Sequence, residues 1–146
     1  MAFVPNYSVI AGHSPVHTAY MVHGILGSGQ NWRSFMRQLA ERCPSWRFVL
    51  PDLRNHGDSS GATPPHSFET ACDDLDNLTE LEGGASAMLG HSFGGKVVLR
   101  WSLRQTQPTK TTVVFDAHPG LAGDRGQSST VLQVIGLLHQ VRLPCP

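Results

Sequence analysis

Four short apolar segments alternate with three amphipathic segments along most of the chain, and this alternation constrains the fold strongly. The apolar segments have the length of buried strands, whereas the amphipathic ones repeat their apolar residues at helical spacing. This order is typical of βαβ units, so we predict an α/β fold: a mostly parallel sheet with helices on both faces. The predicted strands are 18–22, 46–50, 85–89 and 112–115, and the predicted helices are 31–43, 68–81 and 93–105.

Further predictions concern the second helix, the two ends of the chain and the number of domains. Ser67 has the position of an N-cap, and the pattern puts Asp73, Asp74 and Asp76 on the solvent side of that helix. Residues 7–17 predict an earlier strand or a hairpin. Apolar residues at helical spacing predict a last helix over 127–141. We interpret residues 1–146 as a single incomplete domain.

Composition limits the classes of partner and compartment. The 11 basic and 11 acidic residues cancel, so no long-range field favours nucleic acid or an anionic membrane. No apolar segment approaches the roughly 20 residues of a membrane span. Cys43, Cys72 and Cys145 are far apart, which argues against a disulfide framework or a metal site. Residues 1–9 lack the pattern of a secretory signal, so we expect an intracellular protein, with an organelle left open and the oligomeric state unknown.

The segment Gly90-His91-Ser92-Phe93-Gly94 lies between a predicted strand and a predicted helix. A G-x-S-x-G sequence there is typical of a nucleophile elbow, a strained turn that needs small neighbours on both sides. The turn exposes the serine hydroxyl at a helix N-terminus, where free N–H groups favour developing negative charge. We therefore predict that Ser92 is a nucleophile; the alternative is a chance glycine-serine turn.

A second motif, His23-Gly24-Ile25, directly follows the strand predicted over 18–22. In a fold with a nucleophile elbow, the oxyanion hole uses the N–H after the nucleophile and one N–H from such a loop. The amides of Phe93 and Ile25 would be these two donors. For His23 we favour a loop-organising role over a catalytic one. His91, which precedes the nucleophile, is interpreted as a packed, hydrogen-bonded residue rather than a base.

These motifs, with the sequence Asp-Leu-Arg-Asn-His-Gly-Asp-Ser at 52–59 between them, resemble the α/β-hydrolase superfamily over about residues 18–120. Within it, the chain is similar to a small serine esterase branch of bacteria and organelles, which carries a near-identical 52–59 stretch and a Gly-His-Ser-x-Gly-Gly-Lys elbow. The resemblance implies a hydrolase of carboxylic esters or thioesters with no metal and no organic cofactor. Dehalogenases and epoxide hydrolases carry an aspartate where this chain has Ser92. For the 55–58 loop, we favour a turn whose polar side chains bond their own backbone.

The resemblance also implies the acid of a catalytic triad. In that branch the acid follows the strand after the elbow helix in a Val-x-Asp context, which Val114-Phe115-Asp116 matches. We therefore predict Asp116 as the acid, and a helix cap or turn residue is the alternative. His118 lies two residues further on, and we do not expect it to pair with Asp116 toward the serine.

The same resemblance places the catalytic histidine after a lid and two further strands, in the order serine, acid, histidine. The 30 residues after Asp116 are too few for that material. We therefore expect a C-terminally truncated chain that lacks its catalytic histidine, with 127–141 as the start of the lid region. The alternative is a non-catalytic fragment or pseudo-hydrolase, with a binding role or none.

Overall fold

A five-stranded sheet forms the centre of the computed structural model, which describes residues 2–106, 109 and 111–118. The strand order is β1-β3-β2-β4-β5, in which β1 is antiparallel to β3 and all other neighbours are parallel. The four strands predicted from apolar segments are confirmed. The strand predicted over 85–89 begins and ends two residues later than predicted. The strands are β1 Tyr7–Ala11, β2 His17–Val22, β3 Trp46–Pro51, β4 Ala87–His91 and β5 Thr111–Phe115.

Of the two alternatives predicted for residues 7–17, the strand is confirmed and the hairpin is wrong. β1 pairs with β3, where Tyr7 lies opposite Pro51, instead of pairing with β2. The connection between β1 and β2 crosses the start of β3, since Gly12 donates to the carbonyl of Trp46 and Val16 donates to that of Ser45. β1 and β2 therefore flank β3 on opposite sides.

The three predicted helices are present and differ from the prediction only at their ends. The first begins with a 3-10 turn over Gly29–Trp32 and continues as α1 over Arg33–Arg42. α2 covers Phe68–Leu81, and its N-cap Ser67 accepts a hydrogen bond from the Thr70 amide as predicted for a cap. α3 covers Phe93–Arg104.

Helices cover both faces of the sheet, as predicted. Successive side chains of β2 point to opposite faces, so Ala19 and Met21 lie on one side while Tyr20 and Val22 lie on the other. α1 packs on the first side, and α2 and α3 pack on the second. All four of these β2 side chains are buried, which is the pattern of an inner parallel strand.

The remaining predictions about chain organisation concern the cysteines, the last helix and the membrane. Cys72 is buried, Cys43 is half-buried, and both thiols are free. Burial raises the pKa of the Cys72 thiol to about 11. Cys145 and the helix predicted over 127–141 lie outside the described residues. Within 2–106 and 111–118, none of the helices is long and apolar enough to cross a membrane.

Candidate active site

Ser92 occupies a strained turn between β4 and α3. Its φ of 51° and ψ of −114° lie in a region that non-glycine residues rarely adopt. The backbone leaves no space for side chains at the two glycines that flank this turn. A Cβ atom on Gly94 would lie 2.5 Å from the carbonyl oxygen of Val22, and a Cβ atom on Gly90 would lie 2.5 Å from the carbonyl oxygen of Gly94. Glycine is therefore required at both positions that flank the serine at two residues' distance.

The loop after β2 is in direct contact with this turn. A Cβ on Gly24 would lie 3.3 Å from the Cβ of Ser92 and 3.0 Å from Nδ1 of His91. Ile25 follows Gly24 in this loop, and Phe93 is the first residue of α3, where backbone amides have no partner within the helix. The two residues predicted to supply an oxyanion hole thus belong to two segments that contact each other beside Ser92.

His23 is fully buried beneath the loop and uses both ring nitrogens to hold it. Nε2 accepts a 2.9 Å hydrogen bond from the Leu53 amide, and Nδ1 donates a 2.7 Å bond to the Gly24 carbonyl. These partners assign the neutral Nδ1–H tautomer, and burial lowers the pKa of the ring. This geometry fits the loop-organising role and leaves neither nitrogen free to accept a proton from Ser92.

The 52–59 stretch bonds its own backbone and the neighbouring elements. Asp52 accepts hydrogen bonds from the Gly29 amide (2.7 Å) and the Asp58 amide (2.9 Å), and the His56 ring donates to the Arg54 carbonyl at 2.9 Å. These bonds are those of a polar turn, the interpretation favoured for the 55–58 loop. The 52–59 stretch is therefore held in place next to the loop that begins at His23, whose ring accepts the hydrogen bond from Leu53.

One residue of this network overturns a prediction about α2. Asp74 was expected on the solvent side of the helix, but it is buried and forms a bidentate pair with Arg54, at 2.7 and 2.8 Å. The carboxylate raises the pKa of the Arg54 guanidinium. Helical spacing alone could not reveal this pairing, because the partner lies in a loop 20 residues earlier.

Asp116 follows β5 at the same edge of the sheet as Ser92. The two positions are connected through Phe115, whose carbonyl accepts a 2.8 Å hydrogen bond from the Ser92 amide. The Asp116 side chain is 91% exposed, and its Oδ2 lies 3.9 Å from Nε2 of His91, beyond hydrogen-bonding distance. The fold therefore brings the predicted nucleophile and acid to one edge, with the acid facing solvent. His91 is half-buried, and the hydrogen bond expected of its ring is not found within residues 2–106 and 111–118.

A cavity of about 430 Å³ opens beside these residues, and sequence reasoning missed part of its wall. Trp32 and Phe35 line it, and neither is among the site residues predicted from the sequence. Ile25, Leu26 and His91 line it as well. One sequence feature could have indicated a place for Trp32 at the site: it follows the His23-Gly24-Ile25 motif by only a few residues. Among the residues that the structure describes, no group of three His, Cys, Asp or Glu side chains could hold a metal ion.

A mostly parallel sheet that carries a serine on a strained strand-to-helix turn at its carboxyl edge is the architecture of the α/β hydrolases. Comparison with known families agrees, because the chain matches the α/β hydrolase fold family over residues 20–136. The protein therefore belongs to the α/β hydrolase fold family.

The similar proteins include a lipase, an acetyltransferase and an esterase. The chain is 31% identical over 141 residues to the sn-1-specific diacylglycerol lipase ABHD11 of Danio rerio, covering 95% of this chain and 43% of the relative. It is 30% identical over 122 residues to ethanol acetyltransferase 1 of Wickerhamomyces anomalus, covering 80% and 30%. A solved marine microorganism esterase has a TM-score of 0.78 and 27% identity, covering 96% and 52%. The chain thus spans about half or less of each of these proteins.

Proposed function

We propose that this chain carries the nucleophile, the acid and the oxyanion-binding amides of a serine hydrolase acting on carboxylic esters or thioesters. The observation that carries this proposal is the backbone of Ser92, a non-glycine residue at φ 51° on the turn that begins α3. A conformation this strained persists where function requires it, and a nucleophile elbow is such a case. The relatives named as a lipase and an esterase support the same class of reaction.

In the proposed mechanism, Oγ of Ser92 attacks the carbonyl carbon of the ester. The oxyanion that forms accepts hydrogen bonds from the amides of Ile25 and Phe93. A histidine takes the serine proton and passes it to the leaving alcohol or thiol, and water then releases the acyl group. Asp116 orients that histidine, which we expect to lie outside the 146 residues.

A non-catalytic fragment or pseudo-hydrolase is the second candidate, and one observation favours it. Among the described residues, no hydrogen bond joins a histidine to the Ser92 hydroxyl, and both nitrogens of His23 are already bonded. General-base assistance contributes about 10²–10⁴-fold to such reactions. The chain by itself should therefore be a slow nucleophile under either proposal.

Labelling with a fluorophosphonate tests the proposal. We expect slow labelling of the 146-residue chain that is abolished in Ser92→Ala, together with hydrolysis of p-nitrophenyl acetate close to the buffer rate. The matched control is Ser102→Ala, because this serine lies in α3 and bonds Thr112 away from the turn. A longer chain that supplies the family's histidine should label and turn over rapidly.

Three outcomes would change the conclusion. Labelling that survives Ser92→Ala, or a longer chain with no Ser92-dependent turnover, favours the non-catalytic candidate. Rapid Ser92-dependent hydrolysis by the 146-residue chain itself would contradict the expectation of an external histidine. A substitute base would then be sought between His91 and His118, because both nitrogens of His23 are already bonded.

A further inference from the structure

The indole ring of Trp32 packs against three aromatic rings that belong to three different elements. Its ring lies 6.0 Å from Phe35 of α1 in an edge-on arrangement, 5.6 Å from His91 of β4 and 6.1 Å from Phe115 of β5, which it stacks at 30°. His91 immediately precedes Ser92, and Phe115 immediately precedes Asp116. The indole therefore contacts the segments that carry both the proposed nucleophile and the proposed acid.

The cavity beside Trp32 has an apolar lining that is unusually open to solvent. Phe35 is 53% exposed, Leu26 is 66% exposed and Ile25 is 39% exposed, although all three are large hydrophobic side chains. Exposed apolar side chains that meet at a concave surface are typical of a ligand site. The lining therefore favours a ligand with a hydrocarbon portion.

Two of the polar side chains that border the same cavity are engaged within the protein. Both nitrogens of His23 are hydrogen-bonded, and Oδ1 of Asn31 accepts a 2.7 Å bond from the Ser28 amide. His91 also borders the cavity, and no hydrogen bond to its ring is found among the described residues, so the free hydrogen-bonding capacity of the wall lies mainly beside the Ser92 turn. This again favours an apolar chain over a sugar or a charged group.

We propose that Trp32 is a specificity-determining residue and that its indole packs against an unbranched hydrocarbon chain of the ester substrate. This inference rests on the proposed function, since it assumes that the scissile carbonyl lies at Ser92. The cavity of about 430 Å³ lies within the roughly 300–1,000 Å³ that is typical of ligand pockets. A space of this size accommodates a hydrocarbon chain longer than an acetyl group.

Binding of methyl ketones to the full 146-residue chain tests this inference without any reaction. We would titrate 2-butanone, 2-hexanone and 2-octanone and follow binding by NMR. Burial of one methylene group corresponds to about a fourfold decrease in Kd, so each added methylene should tighten binding by up to about fourfold. In Trp32→Ala this dependence on chain length should disappear, and in Trp32→Phe it should be partly retained.

Trp46→Ala is the matched control, because this tryptophan begins β3 at the opposite edge of the parallel strands and packs against His17. It should keep the wild-type dependence on chain length. Phe35→Ala, which changes a half-exposed side chain, is a second test that should weaken the dependence even if Trp32→Ala does not fold. An unchanged dependence in the folded Trp32 or Phe35 variants, or none in the wild type, overturns the inference.

Ser92→Ala separates this inference from the proposed function. Ketone binding needs no nucleophile, so the variant should keep the dependence on chain length while it loses fluorophosphonate labelling. Labelling that is independent of Ser92, combined with normal ketone binding, contradicts only the serine hydrolase proposal. Ser92-dependent labelling without a dependence on chain length contradicts only the role of Trp32.

Discussion

The backbone amide of Ser92 donates a hydrogen bond of 2.8 Å to the carbonyl oxygen of Phe115. This bond extends the β4–β5 pairing, in which His91 already lies opposite Phe115, by one residue beyond the strand. The position of the elbow is thereby fixed relative to the end of β5. Main-chain pairing therefore sets the distance between the proposed nucleophile and the proposed acid.

The first prediction concerns Asp116 in a longer, active chain that supplies the family's histidine. Asp116→Asn should lower kcat by about 10⁴-fold, because an amide in place of the carboxylate favours the wrong histidine tautomer. Steady-state hydrolysis of a p-nitrophenyl ester measures this, with Asp58→Asn as a control in an exposed loop. Activity within about tenfold of the wild type would place the acid on a later strand.

The second prediction concerns strain at the elbow. A non-glycine residue in a sparsely populated backbone region costs about 1–3 kcal/mol of stability. Glycine avoids this strain, but it loses more conformational entropy on folding, which offsets part of the gain. Ser92→Gly should therefore increase the free energy of unfolding by about 1 kcal/mol, whereas Ser92→Ala keeps the Cβ and should give no such increase. Urea denaturation of the two variants decides the matter, and equal stabilities would show that the turn is not strained.

The third prediction compares two adjacent glycines in the first turn of α3. Alanine normally stabilises a helix relative to glycine by about 1 kcal/mol. A Cβ at Gly94 would meet the backbone carbonyls of His23 and Val22, which cannot move independently of the sheet. Gly94→Ala should thus destabilise the protein by roughly 3 kcal/mol.

Gly95→Ala provides the graded comparison for that prediction. A Cβ there would meet side-chain carbons of Val114 at 2.9 Å and Ala117 at 3.1 Å, together with the Gly90 carbonyl at 3.1 Å. Side chains adjust more easily than backbone, so this variant should lose less stability than Gly94→Ala. Denaturant melts that show the reverse order would contradict the close approach of α3 to β2.

The fourth prediction concerns pH and the buried ring of His23. Because its pKa in the folded protein is below the ordinary value of 6.5, the unfolded chain binds a proton first as the pH falls. The stability from the neutral ring is therefore fully present above pH 6.5 and decreases below it. The free energy of unfolding should fall between pH 7.5 and 5.5 by at most about 1.4 kcal/mol per pH unit.

Denaturant melts of the wild type and of His23→Gln check this effect. The variant should be less stable at every pH, but its stability should change less between pH 7.5 and 5.5. The carboxyl groups of Glu69 and Glu82, whose pKa values are lowered by hydrogen bonding, lose their contribution only below their ordinary value of 4.5. Parallel curves for the two proteins would assign the pH dependence to other groups.

Much of the fold follows from local sequence signals. The cap at Ser67, the helical spacing of apolar residues in α2 and the glycines around Ser92 each depend on neighbours within a few positions. Such short-range relations between residues and backbone predict where an element begins, ends or turns sharply. They therefore sufficed for the helices, for four strands and for the turn at the candidate nucleophile.

The features that could not be predicted depend on residues far apart in the chain. β1 pairs with β3 instead of β2 because its connection crosses the start of β3. Asp74 is buried because Arg54 reaches it from a loop. Trp32 becomes part of the cavity only when the ends of β4 and β5 are brought beside it. No periodicity encodes these contacts, since each is decided by tertiary packing.

The contact between Gly24 and Ser92 has a consequence for the timing of catalysis. Since Gly24 contacts Ser92, the residues that follow each of them, Ile25 and Phe93, lie in neighbouring segments before any ligand binds. Donors that are fixed before the substrate arrives need no reorientation as negative charge develops. If these amides bind the oxyanion, the cost of aligning them is incurred once, during folding, and each turnover begins with the hole already assembled.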